Sequence, residues 1–159
     1  MAKILVAYYS RGGATARMAE LVAEGARAVK GAQVELRKVA EVDPKGLAAY
    51  DALLLGSPTY YGTLAAEVKA LLDKSVAIHG ALEGKVGGAF TSSANLAGGN
   101  ETTILSILQG LLIHGMIVQG TSEGSHYGPV AVGKPDKRAE NECRDLGRRA
   151  AELAIKLHG

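Results

Sequence analysis

The spacing of apolar residues along this chain changes repeatedly between the periods of strands and of helices. Short apolar runs closed by glycine or hydroxyl residues predict strands, and apolar residues three and four positions apart predict helices. The predicted strands are Lys3–Tyr9, Gln33–Val39, Asp51–Gly56, Lys85–Thr91 and Met116–Gln119. The predicted helices begin near Thr15, follow the apolar positions Leu64, Val68, Leu71 and Leu72, and cover Thr102–Gly115 and Asp136–Leu157.

Strands and helices that alternate in this way are typical of a parallel sheet with helices on both faces. The chain has 159 residues, about the length of one domain, so we expect residues 1–159 to form a single α/β unit. Five strands at this length favour the doubly wound strand order 2-1-3-4-5. In that arrangement ligands bind at the carboxyl ends of the first and third strands, so the loops that follow those strands are candidates for a site.

The composition excludes several classes of protein. Hydrophobic residues make up 47% and charged residues 21% of the chain, which suits a globular protein and not a disordered one. The net charge is only +2 with the signs mixed, so we expect no nucleic-acid partner. No apolar run is long enough to cross a membrane, so we expect no membrane partner. A single cysteine, Cys143, and the lack of a signal-peptide pattern predict a cytoplasmic protein without disulfides.

The segment between the first strand and the first helix has the composition of a phosphate-binding loop. Unpaired N–H groups and the positive end of the helix dipole attract anions at the start of a helix. Glycines let the backbone approach an anion closely, and hydroxyl groups add donors. The residues of this candidate loop are Ser10, Arg11, Gly12, Gly13, Ala14 and Thr15. The alternative is a glycine-rich turn in which Thr15 only caps the helix.

Two further loops follow the third and fourth predicted strands, and the expected topology brings them to the same edge of the sheet. The first holds two adjacent tyrosines on which a flat ring could stack, and consists of Pro58, Thr59, Tyr60, Tyr61 and Gly62. The second is small and polar and includes Ser92, Ser93, Ala94, Asn95 and Gly98. Taken singly, each segment also fits an ordinary surface loop, and the tyrosines fit residues that pack on a neighbouring loop.

With these residues in view, the chain resembles the flavodoxin-like superfamily over nearly its whole length. The spacing of Ser10, Gly13 and Thr15 is that of the flavodoxin loop that binds the phosphate of FMN. A closer similarity is to WrbA-type NAD(P)H:quinone oxidoreductases, through residues 3–10, 56–62, 84–93, 98–103, 114–116 and 127–128. The resemblance implies that residues 10–15 bind the FMN phosphate. It also implies that residues 58–62 and 92–98 border the isoalloxazine ring.

The same resemblance implies that His114 lies beside the flavin, where an imidazole would hydrogen-bond a quinone and supply a proton near neutral pH. The alternative role for His114 is a cation at the carboxyl end of the helix Thr102–Gly115. Compared with the WrbA-type family, the chain is short at residues 40–50 and 120–133, and His126 stands where a proline is usual. We expect no metal site, because His79 and His158 lack metal-ligand spacing, and we expect Cys143 to lie in the core.

The leading hypothesis is an FMN-dependent oxidoreductase that passes reducing equivalents from NAD(P)H to a quinone-like acceptor, as a homo-dimer or homo-tetramer. Electron-carrying flavodoxins usually have acidic surfaces and aromatic residues on both flavin faces. This chain is slightly basic and has no aromatic residue between Thr91 and Thr103, which favours an open flavin face. One alternative is a flavodoxin-type FMN electron carrier without NAD(P)H turnover. A second is a non-enzymatic module that binds another phosphate ligand.

Overall fold

In the computed structural model, which describes residues 1–159, seven strands form one sheet and four α-helices pack against it. The strands are β1 (Ala2–Tyr8), β2 (Ala32–Lys38), β3 (Ala52–Tyr60), β4 (Thr63–Leu64), β5 (Val86–Ser93), β6 (Ile117–Val118) and β7 (Val130–Val132). The helices are α1 (Ala14–Arg27), α2 (Ala66–Lys74), α3 (Asn100–Ile113) and α4 (Lys137–His158). Short 3₁₀ turns lie at Val39–Glu41, Pro44–Ala49 and Ser75–Ile78.

The strand order is β2-β1-β3-β5-β6, and neighbouring strands in this series are parallel. This is the doubly wound order predicted from the sequence. One core contains Met18 of α1 and Cys143 of α4, and a second core on the other face contains Val68 of α2 and Ile107 of α3. The expected α/β fold, with helices on both faces of a parallel sheet, is therefore confirmed.

The fifth strand of this order is interrupted. β6 pairs with the first two residues of β5, and β7 pairs with its last three. Residues 119–129 therefore leave the sheet after β6 and return to the same position in the strand order at β7. The sequence predicts the strand Met116–Gln119 and no further strand before the last helix, which is wrong at Val130–Val132. A three-residue strand is too short to show a period. The excursion returns through Gly128, where a Cβ atom would collide with the carbonyl group of Ala89.

The third strand is longer than predicted, because it continues past Gly56 to Tyr60. Pro58 lies in this extension and cannot donate a backbone hydrogen bond. It is tolerated because the pairing of β3 with β1 ends at Gly56, so no β1 residue faces Pro58. The next helix begins at Ala66, and Leu64, which was assigned to it, belongs to β4, an antiparallel partner of β3.

Two glycines bring α1 and α4 into close contact. A Cβ atom at Gly25 would collide with the carbonyl group of Arg144, and one at Gly147 would collide with that of Val22. Close packing at this point explains a glycine inside α1, where it costs about 1 kcal/mol relative to alanine. Cys143 is fully buried beside this crossing, and burial raises the pKa of its thiol to about 12. Its predicted place in the core is confirmed.

Helix α3 is apolar on nearly all sides, but only part of it is covered. Ile104, Ile107 and Leu111 are buried against the sheet. Leu112 and Ile113, at the carboxyl end of the helix, are 58% and 76% exposed. No helix of the chain combines the length and the apolar character that a membrane span needs.

Candidate functional site

A crevice of about 600 Å³ opens at the carboxyl edge of the sheet, between the loops that follow β1, β3 and β5. Its walls include eleven of the residues singled out in the sequence: Ser10, Arg11, Gly12, Ala14, Thr15, Pro58, Thr59, Tyr60, Ser92, Ser93 and Ala94. Gly13, Tyr61, Gly62, Asn95 and Gly98 lie in the same three loops, outside the wall itself. The topology therefore brings the three candidate loops to one place.

Backbone N–H groups line the end of the crevice next to α1. Gly13 adopts the left-handed conformation with φ 97°, and its N–H donates to the Ser10 hydroxyl at 3.1 Å. The first N–H bonded within the helix is that of Arg17, to the Gly13 carbonyl at 3.0 Å. No acceptor in the chain bonds the N–H groups of Arg11, Gly12, Ala14, Thr15 and Ala16. These donors, together with the helix dipole, make this end of the crevice suitable for an anion.

In the structure, Thr15 does not cap helix α1, which was the alternative role considered for it. The N-cap of α1 is Gly13, and no side chain caps the helix. The Thr15 hydroxyl is buried and lies 2.8 Å from the hydroxyl of Ser92. This hydrogen bond connects the first loop to the end of β5. The interpretation of Thr15 as a helix cap is therefore wrong.

Two cations and no carboxylate border the crevice. Arg11 and Lys134 both line it, neither forms an ion pair, and none of the other lining residues is acidic. The first turn of α1 also lacks acidic residues. Sequence reasoning missed Lys134 because it did not recognise β7. Once residues 130–132 are paired with β5, the Gly133 N–H donates to the Ser93 carbonyl at 2.7 Å, which brings the following lysine to the crevice.

The loop of residues 58–62, here called the tyrosine loop, forms the side of the crevice opposite the end next to α1. The ring of Tyr60 meets that of Tyr9 edge to face, with centroids 6.4 Å apart. Tyr61 has φ 50°, uncommon for a residue other than glycine, and its side chain is fully exposed. A Cβ atom at Gly99 would lie 2.6 Å from the Cα atom of Gly62. The tyrosine loop and the loop before α3 therefore touch, and this contact requires glycine.

Hydroxyl groups beneath the crevice fix the ends of β3 and β5 to each other. The Thr91 hydroxyl donates to the Ser57 carbonyl at 2.6 Å and lies 3.0 Å from the Thr59 hydroxyl. Thr91 has a single hydroxyl proton, so Thr59 is the donor between the two. The Thr59 hydroxyl, which lines the crevice, can therefore still accept a hydrogen bond. Ser57 and Thr91 are both fully buried, so these hydrogen bonds are shielded from solvent.

The loop between β5 and α3 supplies a wall of small side chains. Ser93 donates to the Asn95 carbonyl at 2.9 Å, and the Asn100 side chain donates to the Ser93 hydroxyl at 3.2 Å. Residues 94–98 are exposed and include no aromatic residue, and their one large side chain, that of Leu96, lies outside the crevice lining, to which this loop contributes Ser92, Ser93 and Ala94. One wall of the crevice is therefore aromatic and the other is small and polar.

Comparison with known proteins agrees with this geometry. A family model described as a flavodoxin domain matches residues 5–105. A flavodoxin of Aquifex aeolicus is 41% identical over 168 aligned positions, which cover 100% of this chain and 91% of that protein. The chain belongs to the flavodoxin family. A flavodoxin-family protein is an FMN-binding flavoprotein of the oxidoreductase kind, and this much of the sequence interpretation is confirmed.

The similarity to WrbA-type proteins is confirmed as well. The NAD(P)H dehydrogenase (quinone) of Chromohalobacter salexigens is 38% identical over 201 aligned positions, which cover 100% of both chains. The crystal structure of a WrbA-like flavodoxin from Agrobacterium tumefaciens superposes with a TM-score of 0.82 at 29% identity, over 99% of each chain. The alignment with the quinone dehydrogenase has 42 more positions than the 159 residues of this flavodoxin-family chain.

The structure does not bring His114 to the crevice. His114 follows α3, which begins beside the crevice and runs for 14 residues, about 21 Å at 1.5 Å per residue. The next residue, Gly115, accepts a hydrogen bond from Gly84, and Ile117 pairs with Val86, the first residue of β5. His114 therefore lies at the amino edge of the sheet. The expectation that it acts beside the flavin of its own chain is corrected here.

At the amino edge, His114 is a buried hydrogen-bond donor. The Ser75 hydroxyl donates to the Leu72 carbonyl at 2.6 Å, so its contact with His114 Nε2, also 2.6 Å, requires the imidazole to donate. His114 Nδ1 is buried and has no partner. Burial, and secondarily the nearby His79, lowers the pKa of His114. This does not fit the alternative role as a cation at the end of α3.

Of the other histidines, His126 lies on the far side of the loop 94–100 from the crevice. It lines a smaller cavity of about 270 Å³ together with Leu96 and Tyr127. Its Nδ1 lies 2.9 Å from the Thr121 carbonyl, so Nδ1 carries the proton. No group of three or more metal-ligating side chains occurs in the chain.

Proposed function

We propose that this flavodoxin-family protein binds FMN in the crevice and passes reducing equivalents from NAD(P)H to a quinone-like acceptor. The observation that carries the proposal is the asymmetry of the crevice. One end presents free N–H donors beside two cations, and the other end has one aromatic wall and one wall of small side chains. A phosphate fits the first end, and a flat ring fits the second.

At the phosphate end, the residues 10–15 would hold the phosphate chiefly through backbone N–H groups. Hydrogen bonds to a charged oxygen each contribute about 1.5–3 kcal/mol, so several together suffice for firm binding. Arg11 and Lys134 would add attraction without fixing one geometry, because both side chains are exposed. The buried Thr15 and Ser92 hydroxyls would keep the two loops in position around the ribityl chain.

At the ring end, Pro58–Gly62 and Ser92–Gly98 would border the isoalloxazine, with Tyr60 as the aromatic wall. Bound FMN supplies hydride and electron transfer, and the protein contributes binding, orientation and electrostatics. The crevice wall formed by Ser92, Ser93 and Ala94 has only small side chains, which leaves room for a second flat molecule beside the ring. Nicotinamide and then a quinone would use this room in turn, which predicts ping-pong kinetics.

An FMN electron carrier without NAD(P)H turnover is the alternative, and chain length favours it. The flavodoxin of Aquifex aeolicus aligns over 168 positions, only nine more than this chain has residues. The quinone dehydrogenase of Chromohalobacter salexigens aligns over 201. The slightly positive net charge of +2 supports the enzyme instead.

We further propose that the protein forms a homo-dimer or homo-tetramer in the cytoplasm. The hydrogen bond between Ser75 and His114 brings Val76 next to the end of α3. Val76, Leu112 and Ile113 are 73%, 58% and 76% exposed, and we infer that a second copy covers these apolar side chains. Sedimentation of the protein and of an Ile113→Glu variant tests this. A monomer in both cases would contradict the proposal.

The proposed function is tested first by spectroscopy and then by turnover. Addition of FMN to the apoprotein should quench FMN fluorescence at a 1:1 ratio and shift its visible bands. The loaded protein should then oxidise NADH or NADPH rapidly with benzoquinone as acceptor. Reduction only by a ferredoxin-type partner, in two resolved one-electron steps, would instead support the carrier. A protein that takes up no FMN would support the non-enzymatic module.

A further inference from the structure

A second cavity, of about 400 Å³, lies next to the crevice but on the other side of β1. It is bounded by the end of β1, by the 3₁₀ turns that follow β2, and by one side of α2. This size is within the range of small-molecule sites in proteins. Nothing in the proposed FMN chemistry uses it.

The inner surface of this cavity is apolar and partly aromatic. Val39 and Leu71 are buried at its base, and Val42, Pro44 and Ala70 contribute to its walls. The ring of Tyr9 forms another wall and is held edge to face by Tyr60. A cavity with an apolar base and a fixed aromatic wall suits a planar aromatic body.

The rim of the cavity carries two lysines that have no acidic partner. Lys38 and Lys74 line it, and neither forms an ion pair with the protein. Lys69, one turn away on α2, is instead paired with Asp73 at 2.7 Å. The one carboxylate in the lining is Glu67. With two lysines and one carboxylate, the rim has a net positive charge.

The position of Glu67 leaves the lysines available to an anion. The pKa of the Tyr9 hydroxyl is raised, first by desolvation and then by the nearby carboxylate of Glu67. Glu67 is in the first turn of α2, whereas Lys74 is the last residue of this helix, seven positions or about 10 Å further along. Glu41, the other acid close to Lys38, accepts a hydrogen bond from the Lys38 backbone N–H and does not line the cavity.

We propose that this cavity is a second ligand site, which binds a small aromatic carboxylate with its ring against Tyr9 and its carboxylate between Lys38 and Lys74. The site is separate from the crevice, although the two share Ser10 and meet at the contact of Tyr9 with Tyr60. A ligand in the cavity would therefore touch the residues that border the proposed FMN site. Its binding does not require FMN.

Calorimetric titration of the apoprotein with naphthalene-2-carboxylate tests the proposal, with neutral 2-naphthalenemethanol as the matched ligand. We expect 1:1 binding of the acid and clearly weaker binding of the alcohol. Lys38→Gln and Lys74→Gln should each weaken binding of the acid by about two- to fivefold, which is the effect of losing one exposed ion pair. Lys69→Gln, which alters a lysine of the same helix outside the cavity, should change nothing.

A blocking substitution gives the sharper test. Ala70→Trp should fill the cavity and abolish binding of the acid, whereas Lys69→Trp on the same helix should not. The proposal is overturned if the acid fails to bind at millimolar concentration, if it binds Ala70→Trp undiminished, or if the alcohol binds equally well. Should Ala70→Trp not fold, methyl NMR of the unaltered protein decides. Acid-induced shifts must then centre on Val39, Val42 and Leu71, and shifts centred elsewhere would overturn it.

Because this test is done without FMN, its failure and a failure of the proposed FMN function are distinguishable. Binding of the acid to a protein that takes up no FMN would support the second site and reject the flavin function. FMN uptake without binding of the acid would do the reverse. In the loaded protein, the acid should also perturb the visible FMN spectrum through Tyr9 and Tyr60, and Ala70→Trp should remove this effect.

Discussion

The hydroxyl groups of Thr15 and Ser92 lie 2.8 Å apart, although 77 positions separate the two residues in the chain. Thr15 is in the first turn of α1, and Ser92 is near the end of β5. Both side chains are buried. This single hydrogen bond joins the proposed phosphate loop to the proposed ring-bordering loop, so the spacing of the two ends of the crevice depends on it.

Removal of either hydroxyl should therefore affect both stability and cofactor affinity. Thr15→Val leaves the Ser92 hydroxyl buried without its partner, which costs about 1–3 kcal/mol. We expect the free energy of unfolding in urea to fall by that amount and FMN binding to weaken. In a double-mutant cycle, Ser92→Ala should cost less in the Thr15→Val background than alone. Thr63→Val, at an exposed threonine without side-chain hydrogen bonds, is the control. Strictly additive losses would contradict the predicted coupling.

The two crevice cations should make FMN binding dependent on salt. Arg11→Gln and Lys134→Gln should each weaken FMN binding by about two- to fivefold. Each should also make the Kd for FMN depend less steeply on ionic strength. Riboflavin, which has no phosphate, should bind both variants as it binds the unaltered protein. Lys137→Gln, three residues further along and outside the crevice lining, serves as the matched control. Equal losses for FMN and riboflavin would place these cations away from the phosphate.

Gly99 is predicted to be essential for the shape of the crevice. Its φ of +97° costs about 1–2 kcal/mol for an alanine, and the added Cβ atom would lie 2.6 Å from Gly62. Gly99→Ala should thus destabilise the fold by more than the conformational cost alone and push the two loops apart. The measurements are urea unfolding and FMN titration. Gly46→Ala, with ordinary φ and 3.8 Å to the nearest atom, should be tolerated. If both variants behaved alike, the loop contact would be unimportant.

Much of the fold could be predicted because the hydrophobic periods are clear and the loops are short. Once strands and helices alternate, the parallel order follows, and the carboxyl-edge rule brings Ser10–Thr15, Pro58–Gly62 and Ser92–Gly98 together. The second part of the fifth strand, Val130–Val132, is too short to show a hydrophobic period, so the sequence does not predict it. Lys134 was missed for the same reason, since it reaches the crevice only through that short strand.

The predicted topology already indicates that His114 does not lie in the crevice of its own chain. In a parallel sheet, a helix that begins at the carboxyl edge ends at the amino edge, so a residue that follows it cannot reach a ligand at its starting end. His114 is such a residue, directly after α3. The expectation rested on family resemblance alone.

His114 should instead make stability depend on pH. Burial, and then His79, lowers its pKa in the folded protein below the usual 6.5. Above about pH 6.5 the imidazole is neutral in the folded and unfolded states, and the fold keeps its full stability. As the pH falls below this value, the unfolded chain takes up the proton first. The free energy of unfolding should therefore decrease until the pH reaches the folded-state pKa.

Replacement of the imidazole by an amide separates this effect from other titrations. In His114→Gln the side-chain nitrogen can still donate to Ser75, but it does not titrate. We expect urea midpoints measured from about pH 7.5 to about pH 5 to fall less steeply in this variant than in the unaltered protein. Glu35 and Asp145, whose pKa values are lowered by their arginine partners, titrate in both proteins and cancel in the comparison. A slope unchanged by His114→Gln would mean that this imidazole takes up its proton equally in the folded and unfolded states, so that folding does not lower its pKa.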